Sequence, residues 1–313
     1  MLERKLTITE KNNNLRADTL FTFKNFSRNF VRLHSVYFKK DKNGIWQKKS
    51  GKTKVKTEEH WKIKFDNSSD FVTSSKIIPW KHKLKVLKQS ASWICIEKPI
   101  GISVHPSVSE KSNQTVVNAL VHQFSRENLS HPISTKNCTK ESKVIRPGIV
   151  HRLDKVTSGI LLIAKNNLSH FYFTKNWSQV KKTYLAIVEG LPPAKGSVSA
   201  GIIRSSKNRV KMTVSADQKA KDALTFFSRK KINSKKNLSL LEIKIPTGRT
   251  HQIRVHLSAI GFPILGDSKY GGKENSRVFL HAHSLVFPDP DQKGKLITVK
   301  SEIPSEFEGI MEK

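Results

Sequence analysis

Acidic side chains are scarce in these 313 residues: Asp and Glu total 25 against 57 Lys and Arg, a formal net charge of +32. A field of that sign concentrates polyanions and speeds their encounter. Counterion release from phosphates makes nucleic acid the leading partner, with a generally basic solvated surface as the bland alternative. Cysteine occurs only at Cys95 and Cys138, in no C-x-x-C arrangement. That excludes a disulfide framework or a thiolate metal site and fits a reducing interior. No run approaches the roughly 18 apolar residues of a spanning helix. The mean hydropathy of −0.46 suits a soluble protein. No charged amphipathic helix shows a clear aromatic face, so a membrane is not an expected partner. There is no P-loop, no G-x-G-x-x-G, no acidic metal cluster and no internal repeat, so no nucleotide or metal cofactor is expected.

The first twenty residues carry Glu3, Glu10 and Asp18, which secretory signals and organellar leaders both disfavour. Residues 20–40 are basic, aromatic and free of acids. That stretch points to a mitochondrial location, with a bacterial-type cytoplasmic one as the alternative.

The length accommodates one large core and a small appended domain. Residues 1–65 form the first block. Leu15-Arg-Ala-Asp18 predicts a helix start with Leu20, Phe23 and Phe26 as apolar positions, and Ser27 predicts the N-cap of a second. Asp41-Lys-Asn-Gly44 predicts a turn between strands at 35–38 and 45–47. Trp61-Lys-Ile-Lys-Phe65 alternates as a half-buried strand does. The basic run from Lys48 to Lys56 is either an RNA contact or a solvated face. Residues 66–90 are expected to be a linker and 91–313 the main domain. Within it, 93–96 reads as a strand, 115–124 has helical spacing, and 125–144 is polar and loop-like. From Gly148 onward short strands and helices alternate without the rhythm of a parallel sheet.

Chemistry concentrates around Asp154, in the run RPGIVHRLDKVTSG at 146–159. A carboxylate between two basic side chains stays ionised at neutral pH. Ile160-Leu-Leu-Ile-Ala164 follows, so the loop meets a buried element. Alone, the motif also reads as a solvated Arg–Asp pair in a turn. Three further segments accompany it: Val180-Lys-Lys-Thr-Tyr184 leading an apolar strand; Gly248-Arg-Thr-His-Gln-Ile-Arg-Val-His256, followed by Asp267 and Tyr270; and Phe279-Leu-His281-Ala-His283. His251 with His256, or His281 with His283, matches no standard zinc framework, so no metal is expected. They read as hydrogen-bonding histidines on strands and at a helix start. On the residues alone, Tyr184 is an ordinary strand aromatic, Arg254 is a structural ion-pair partner, and Asp267 and Tyr270 are turn and packing residues.

In combination and order these segments resemble the RluA-type pseudouridine synthases, from about Trp93 to Glu302. His151-Arg-Leu-Asp154 with Thr157-Ser-Gly159 is similar to the family's catalytic motif. The 248–256 segment is similar to its second hallmark. Lys98-Pro99-x-Gly101 with Val104-His105-Pro106 is similar to an upstream element. Residues 1–65 resemble a degenerate S4-like RNA-binding module, through Arg16-Ala-Asp18 and Ser27-Arg28.

The resemblance implies an α+β fold: a central mixed, mainly antiparallel sheet curved around an RNA cleft, beside a small S4-like α/β module. It implies isomerisation of a uridine in structured RNA, breaking the N1–C1′ bond and rejoining the ribose to C5. Asp154 would be the essential carboxylate, acting either on C1′ or on the C2′ proton. Arg254 would pair with it, and Tyr184 would pack on the base and assist proton removal from C5. Arg152 would fill the gap left by the extruded uridine. His151, Arg249 and His251 would bind substrate. Large-subunit ribosomal RNA is the leading substrate and the chain is expected to be a monomer. A tRNA-directed synthase or a non-catalytic ribosome-assembly factor are the alternatives.

Overall fold

The computed structural model describes residues 2–20, 35–65, 77–105, 113–125, 148–206 and 208–312. The chain forms two compact units that divide between Lys76 and Ile77.

In the first unit, β1 (Leu2–Thr7), β2 (Ser35–Lys40), β3 (Trp46–Lys49) and β4 (His60–Phe65) make a four-stranded antiparallel sheet in the order β1-β4-β2-β3, with α1 at Ala17–Leu20. Alternation along the strands sends Tyr37, Trp61 and Ile63 inward onto Ile8, Ala17 and Val55. The β2–β3 turn forms at Asp41-Lys-Asn-Gly44: the Asp41 carboxylate accepts from the backbone nitrogens of Asn43 and Ile45, and Gly44 takes φ +82°. Phe23, Phe26 and the helix expected at Ser27 lie outside the described residues, as does most of 125–144.

The second unit holds β5 (Lys85–Gln89), β6 (Trp93–Lys98), α2 (Val116–Ser125), β7 (Ser158–Ala164), α3 (Asn167–Lys175), β8 (Lys181–Glu189), β9 (Lys195–Ser199), β10 (Ile202–Arg204), β11 (Met212–Val214), β12 (Leu224–Asn233), β13 (Leu238–Lys244), α4 (Gln252–Ala259), β14 (Leu280–Pro288), β15 (Leu296–Lys300) and α5 (Ser305–Glu312). Its main sheet has nine strands in the order β5-β6-β7-β14-β8-β13-β12-β9, with β15 on β14. Every pairing in it is antiparallel except β7 with β14. The fold is therefore α+β with a mixed, mainly antiparallel sheet.

The expected linker is corrected at its C-terminal end. Residues 77–90 belong to the second unit, where β5 pairs with β6 and Leu84 is buried. Lys85-Val-Leu-Lys-Gln89 is an edge strand whose solvated lysines dilute its apolar alternation, which is how edges are kept from pairing further.

Ile160-Leu-Leu-Ile-Ala164 forms the last five residues of β7 and is buried throughout. A continuous apolar run suits a strand covered on both faces. Leu161 and Ile163 join a core that also takes α2, α4 and α5, while Ile160 and Leu162 join a second core with Phe173 of α3, Phe287 and Trp93. Between these layers β7 is fixed in place, and the Asp154 loop with it.

Candidate active site

The loop is anchored from within. Leu153 and Thr157 are buried and Val156 packs on the main core, which leaves Asp154 between them facing out, with its side chain 15% exposed. The Thr157 backbone N–H closes a turn on the Asp154 carbonyl at 3.1 Å. The upstream Lys98-Pro-Ile-Gly101 segment grips the next residue: Gly101 N–H donates to the Lys155 carbonyl at 2.9 Å. The fully buried Lys98 ammonium reaches the carbonyls of Pro99 (2.7 Å), Ile102 (2.8 Å) and Lys155 (3.4 Å).

At the far end, the Ser158 hydroxyl accepts from Arg277 Nη2 at 2.6 Å and shares a 2.9 Å hydrogen bond with His281 Nδ1. Gly159 follows with φ +111°, and a Cβ there would run into the Ala282 carbonyl of the parallel neighbour β14. Only glycine allows β7 to leave the loop so close to β14.

Helix α4 supplies the partner. Gln252 braces its start by accepting from the Arg249 backbone N–H and the Thr247 hydroxyl, and by donating to the Leu224 carbonyl. Its apolar positions Ile253 and Leu257 enter the core. His251 and Arg254, three residues apart, share the opposite side. His251 takes φ +56°, a left-handed conformation at the helix N-cap.

The Arg254 side chain is 5% exposed and spans two carboxylates. Its Nε and Nη2 donate to Asp267 at 2.6 and 2.7 Å, and its Nη1 donates to Asp154 Oδ2 at 3.3 Å. Burial opposes the guanidinium charge, but Asp267 first and Asp154 second outweigh it and raise its pKa. Asp267 holds Arg254 and Arg254 aims at Asp154, so the three together carry one net negative charge, exposed on Asp154. The Gly266 conformation, φ +82° with no room for a Cβ against the Arg277 carbonyl, delivers Asp267 to this place.

His251 and Tyr270 complete the rim. His251 Nδ1 lies 2.6 Å from the Tyr270 hydroxyl, which also accepts from Met212 N–H of β11, and the Tyr270 ring lies under the Arg254 guanidinium, 4.9 Å from centroid to carbon. His251 Nε2 comes within 3.9 Å of Asp154 Oδ2. Burial lowers the imidazole pKa while Asp154 opposes that shift.

Tyr184 lies on β8 opposite Ala282 and Ile243, next to a register shift in β14 between Ala282 and Ser284. Such irregularities twist a strand and re-aim its neighbours. Burial, then the Asp154 charge, raises the phenol pKa well above its ordinary value, so Tyr184 is neutral throughout the physiological range.

The remaining residues divide. Arg152 is exposed on the Asp154 loop. Arg249 is exposed as well, with its Nε on the Asp222 carbonyl at 2.9 Å. His151, expected to touch substrate, is turned into the fold. Its Nε2 accepts from Leu162 N–H at 2.8 Å and its ring lies 4.8 Å from that of Trp177. Burial, with a smaller push from Lys182, lowers its pKa to about 3, so it is a neutral brace between the loop and β7. His256 is likewise structural, bonded to the Thr225 hydroxyl and the Ala200 carbonyl. Asp267 and Tyr270, taken as turn and packing residues, are in addition the supports of Arg254 and His251. The one local signal was a carboxylate directly after Gly266 in a segment otherwise built for a tight turn.

Residues 92–259 match the RNA pseudouridylate synthase family. The chain is 35% identical over 238 residues to the ribosomal large subunit pseudouridine synthase D of Zymomonas mobilis, covering 72% of this chain and 71% of that protein. It is 35% identical over 314 residues to the protein of the same name from Borreliella burgdorferi, covering 98% and 92%. Among solved structures, human RNA pseudouridylate synthase domain containing 1 aligns with a TM-score of 0.55 at 25% identity, over 74% of this chain and 86% of that one. With the matched segment ending in α4 and including the whole Asp154 loop, the chain belongs to the RluA-type RNA pseudouridine synthases and is an isomerase acting on RNA.

Proposed function

We propose that this enzyme isomerises uridine in large-subunit ribosomal RNA, with Asp154 as the carboxylate that acts on the ribose. The observation that carries the reading is the Asp267–Arg254–Asp154 relay, in which a buried ion pair aims a guanidinium at one accessible carboxylate. The ribosomal substrate is supported by the names of the relatives from Zymomonas mobilis and Borreliella burgdorferi and by the large positive charge.

Isomerisation breaks C1′–N1 and forms C1′–C5; the C5 proton leaves to solvent and N1 gains one. A stacked, paired uridine hides these atoms, so it must swing out at a cost of a few kcal/mol. Arg152, exposed beside the catalytic loop, would occupy the gap. Arg249 and His251, at the mouth of α4, would meet phosphate. Tyr184 would support the base face; as a neutral phenol it offers a lone pair and a proton relay rather than a phenolate. The first unit would serve as an S4-like RNA-binding module, a reading supported by its basic charge and its Arg16-Ala-Asp18 helix start.

Tritium release from C5-tritiated ribosomal RNA tests the proposal. The native chain is expected to release tritium and Asp154→Asn to release none while binding RNA equally. Release from tRNA but not ribosomal RNA would redirect the substrate; no release from either would refute the reading.

A further inference from the structure

The outer face of the sheet in the first unit combines cations with aromatic rings in a regular array. Across the strands, Lys62 of β4 stands opposite Phe38 of β2, which stands opposite Lys48 of β3. One row along, Lys40 stands opposite Trp46. Side chains in such rows share one face of the sheet, and here it is the face away from Tyr37, Trp61 and Ile63. Lys62 Nζ lies 4.6 Å from the Trp46 ring centroid and 5.4 Å from that of Phe38; Lys64 Nζ lies 5.8 Å from Phe38. Both rings are half-buried, with Lys40 and Lys48 exposed beside them.

Lysines often guard a sheet edge, and those on β3 serve that purpose. Lys62 and Lys64 do not, because β4 is paired on both sides, with β1 and with β2. In the same register Lys62 stands opposite Lys5, and Lys64 opposite Glu3. The rings add what charge alone does not: flat apolar platforms on which unpaired bases stack, each already bordered by an ammonium that can shift to a phosphate.

We propose that this face, with Phe38 and Trp46 as stacking platforms and Lys62 and Lys64 as phosphate contacts, binds a single-stranded segment of the RNA substrate. The proposal rests on RNA being the substrate but not on the identity of the reacting groups. It places single-strand capture on the sheet of the first unit.

The full-length chain is titrated with a fluorescein-labelled ten-nucleotide oligouridylate, reading anisotropy and tryptophan emission. Phe38→Ala with Trp46→Ala weakens binding on the order of 100-fold and Trp46→Ala alone about tenfold, while Trp46→Phe stays within about twofold of native. Lys62→Gln with Lys64→Gln lowers the slope of log affinity against log salt by about 1.4. RNA quenches a component of native tryptophan emission that the Trp46→Phe chain lacks. That arm stands even if the alanine pair fails to fold.

Native affinity and salt slope in the double-alanine chain, or the same quench in the native and Trp46→Phe chains, overturns the proposal. So does displacement of the oligonucleotide by polyglutamate as effectively as by unlabelled oligouridylate, since charge alone would then explain the binding. Asp154→Asn binds as native does. Loss of tritium release in that variant alongside unaffected ring variants sinks only the docking face. Absent tritium release in the native chain alongside weakened ring variants sinks only the catalytic reading.

Discussion

Replacing Asp267 by Asn separates the aiming of Arg254 from its presence. Asn has the same shape and keeps one of the two acceptors, but the charge that balances most of the guanidinium is gone. Opposite unit charges about 4 Å apart at an effective dielectric near 20 attract by about 4 kcal/mol. Breaking a buried pair typically costs about 3–5 kcal/mol. With Arg254 at 5% and Asp267 at 1% exposure, and one hydrogen bond retained, a loss of about 3 kcal/mol is expected. That corresponds to a fall in Tm of roughly 10 °C for a unit of this size. Arg254, freed from its brace, turns toward Asp154 as its sole counter-charge and shifts the carboxylate, and a 1 Å misplacement of a reacting group costs on the order of 100-fold in rate. Single-turnover tritium release at saturating RNA, run well below the lowered Tm, reads the rate, and a urea melt reads the stability. A variant that is destabilised yet turns over at the native rate would show that Asp267 braces the fold without aiming anything. Native values of both would refute the relay itself.

Tyr184→Phe keeps the packing on β8 and removes the hydroxyl, so the rate of tritium release should fall by about 10² or more if the phenol relays a proton, with Tm nearly unchanged; an unaltered rate confines Tyr184 to packing. The raised phenol pKa also means that the unfolded chain ionises first as pH passes about 10. Stability contributed there is lost above that pH, and Tyr184→Phe should flatten the alkaline limb of a stability-versus-pH curve. His281 is the acid counterpart. Burial lowers its pKa to about 4, so between about pH 6.5 and 4 the unfolded state binds the extra proton and stability falls as pH falls, by about 3 kcal/mol at the lower end; urea melts of native and His281→Asn across that window should converge. Gly159→Ala should misfold or melt far below the native chain, because the new methyl meets the Ala282 carbonyl at a positive φ; near-native stability would contradict the close approach of β7 and β14.

Particular residues show why some of this was legible in advance. Ile160-Leu-Leu-Ile-Ala164 is apolar without alternation, which marks a buried element, and β7 is that element. The turn at Asp41-Lys-Asn-Gly44 and the alternation at Trp61-Lys-Ile-Lys-Phe65 are local properties, and β2, β3 and β4 follow them. Asp154, Arg254 and Tyr184 were gathered through a resemblance, and three-dimensional proximity between residues 100 apart had no local signal. Asp267 looks the same in sequence whether it caps a turn or receives a guanidinium from 13 residues upstream. His151 misled because adjacency in the chain is not adjacency in space: three residues before Asp154, its ring points back under β7. The polar edge strand β5 was read as linker because its two solvated lysines and Gln89 leave only Val86 and Leu87 to carry an apolar pattern.

The order β7-β14-β8 puts a late strand at the centre of the sheet. During synthesis β5 to β7 emerge early, and β8 to β13 follow, but the slot between β7 and β8 is filled only when Leu280–Pro288 becomes available. Until then two apolar strands, β7 and β8, present unpaired edges, the kind of surface that recruits other chains. His281 of that strand and Arg277, three residues before it, hold the catalytic loop through Ser158. The enzyme therefore becomes competent only once Leu280–Pro288 is in place, and a nascent chain stalled before Leu280 is an aggregation hazard without being a partial catalyst.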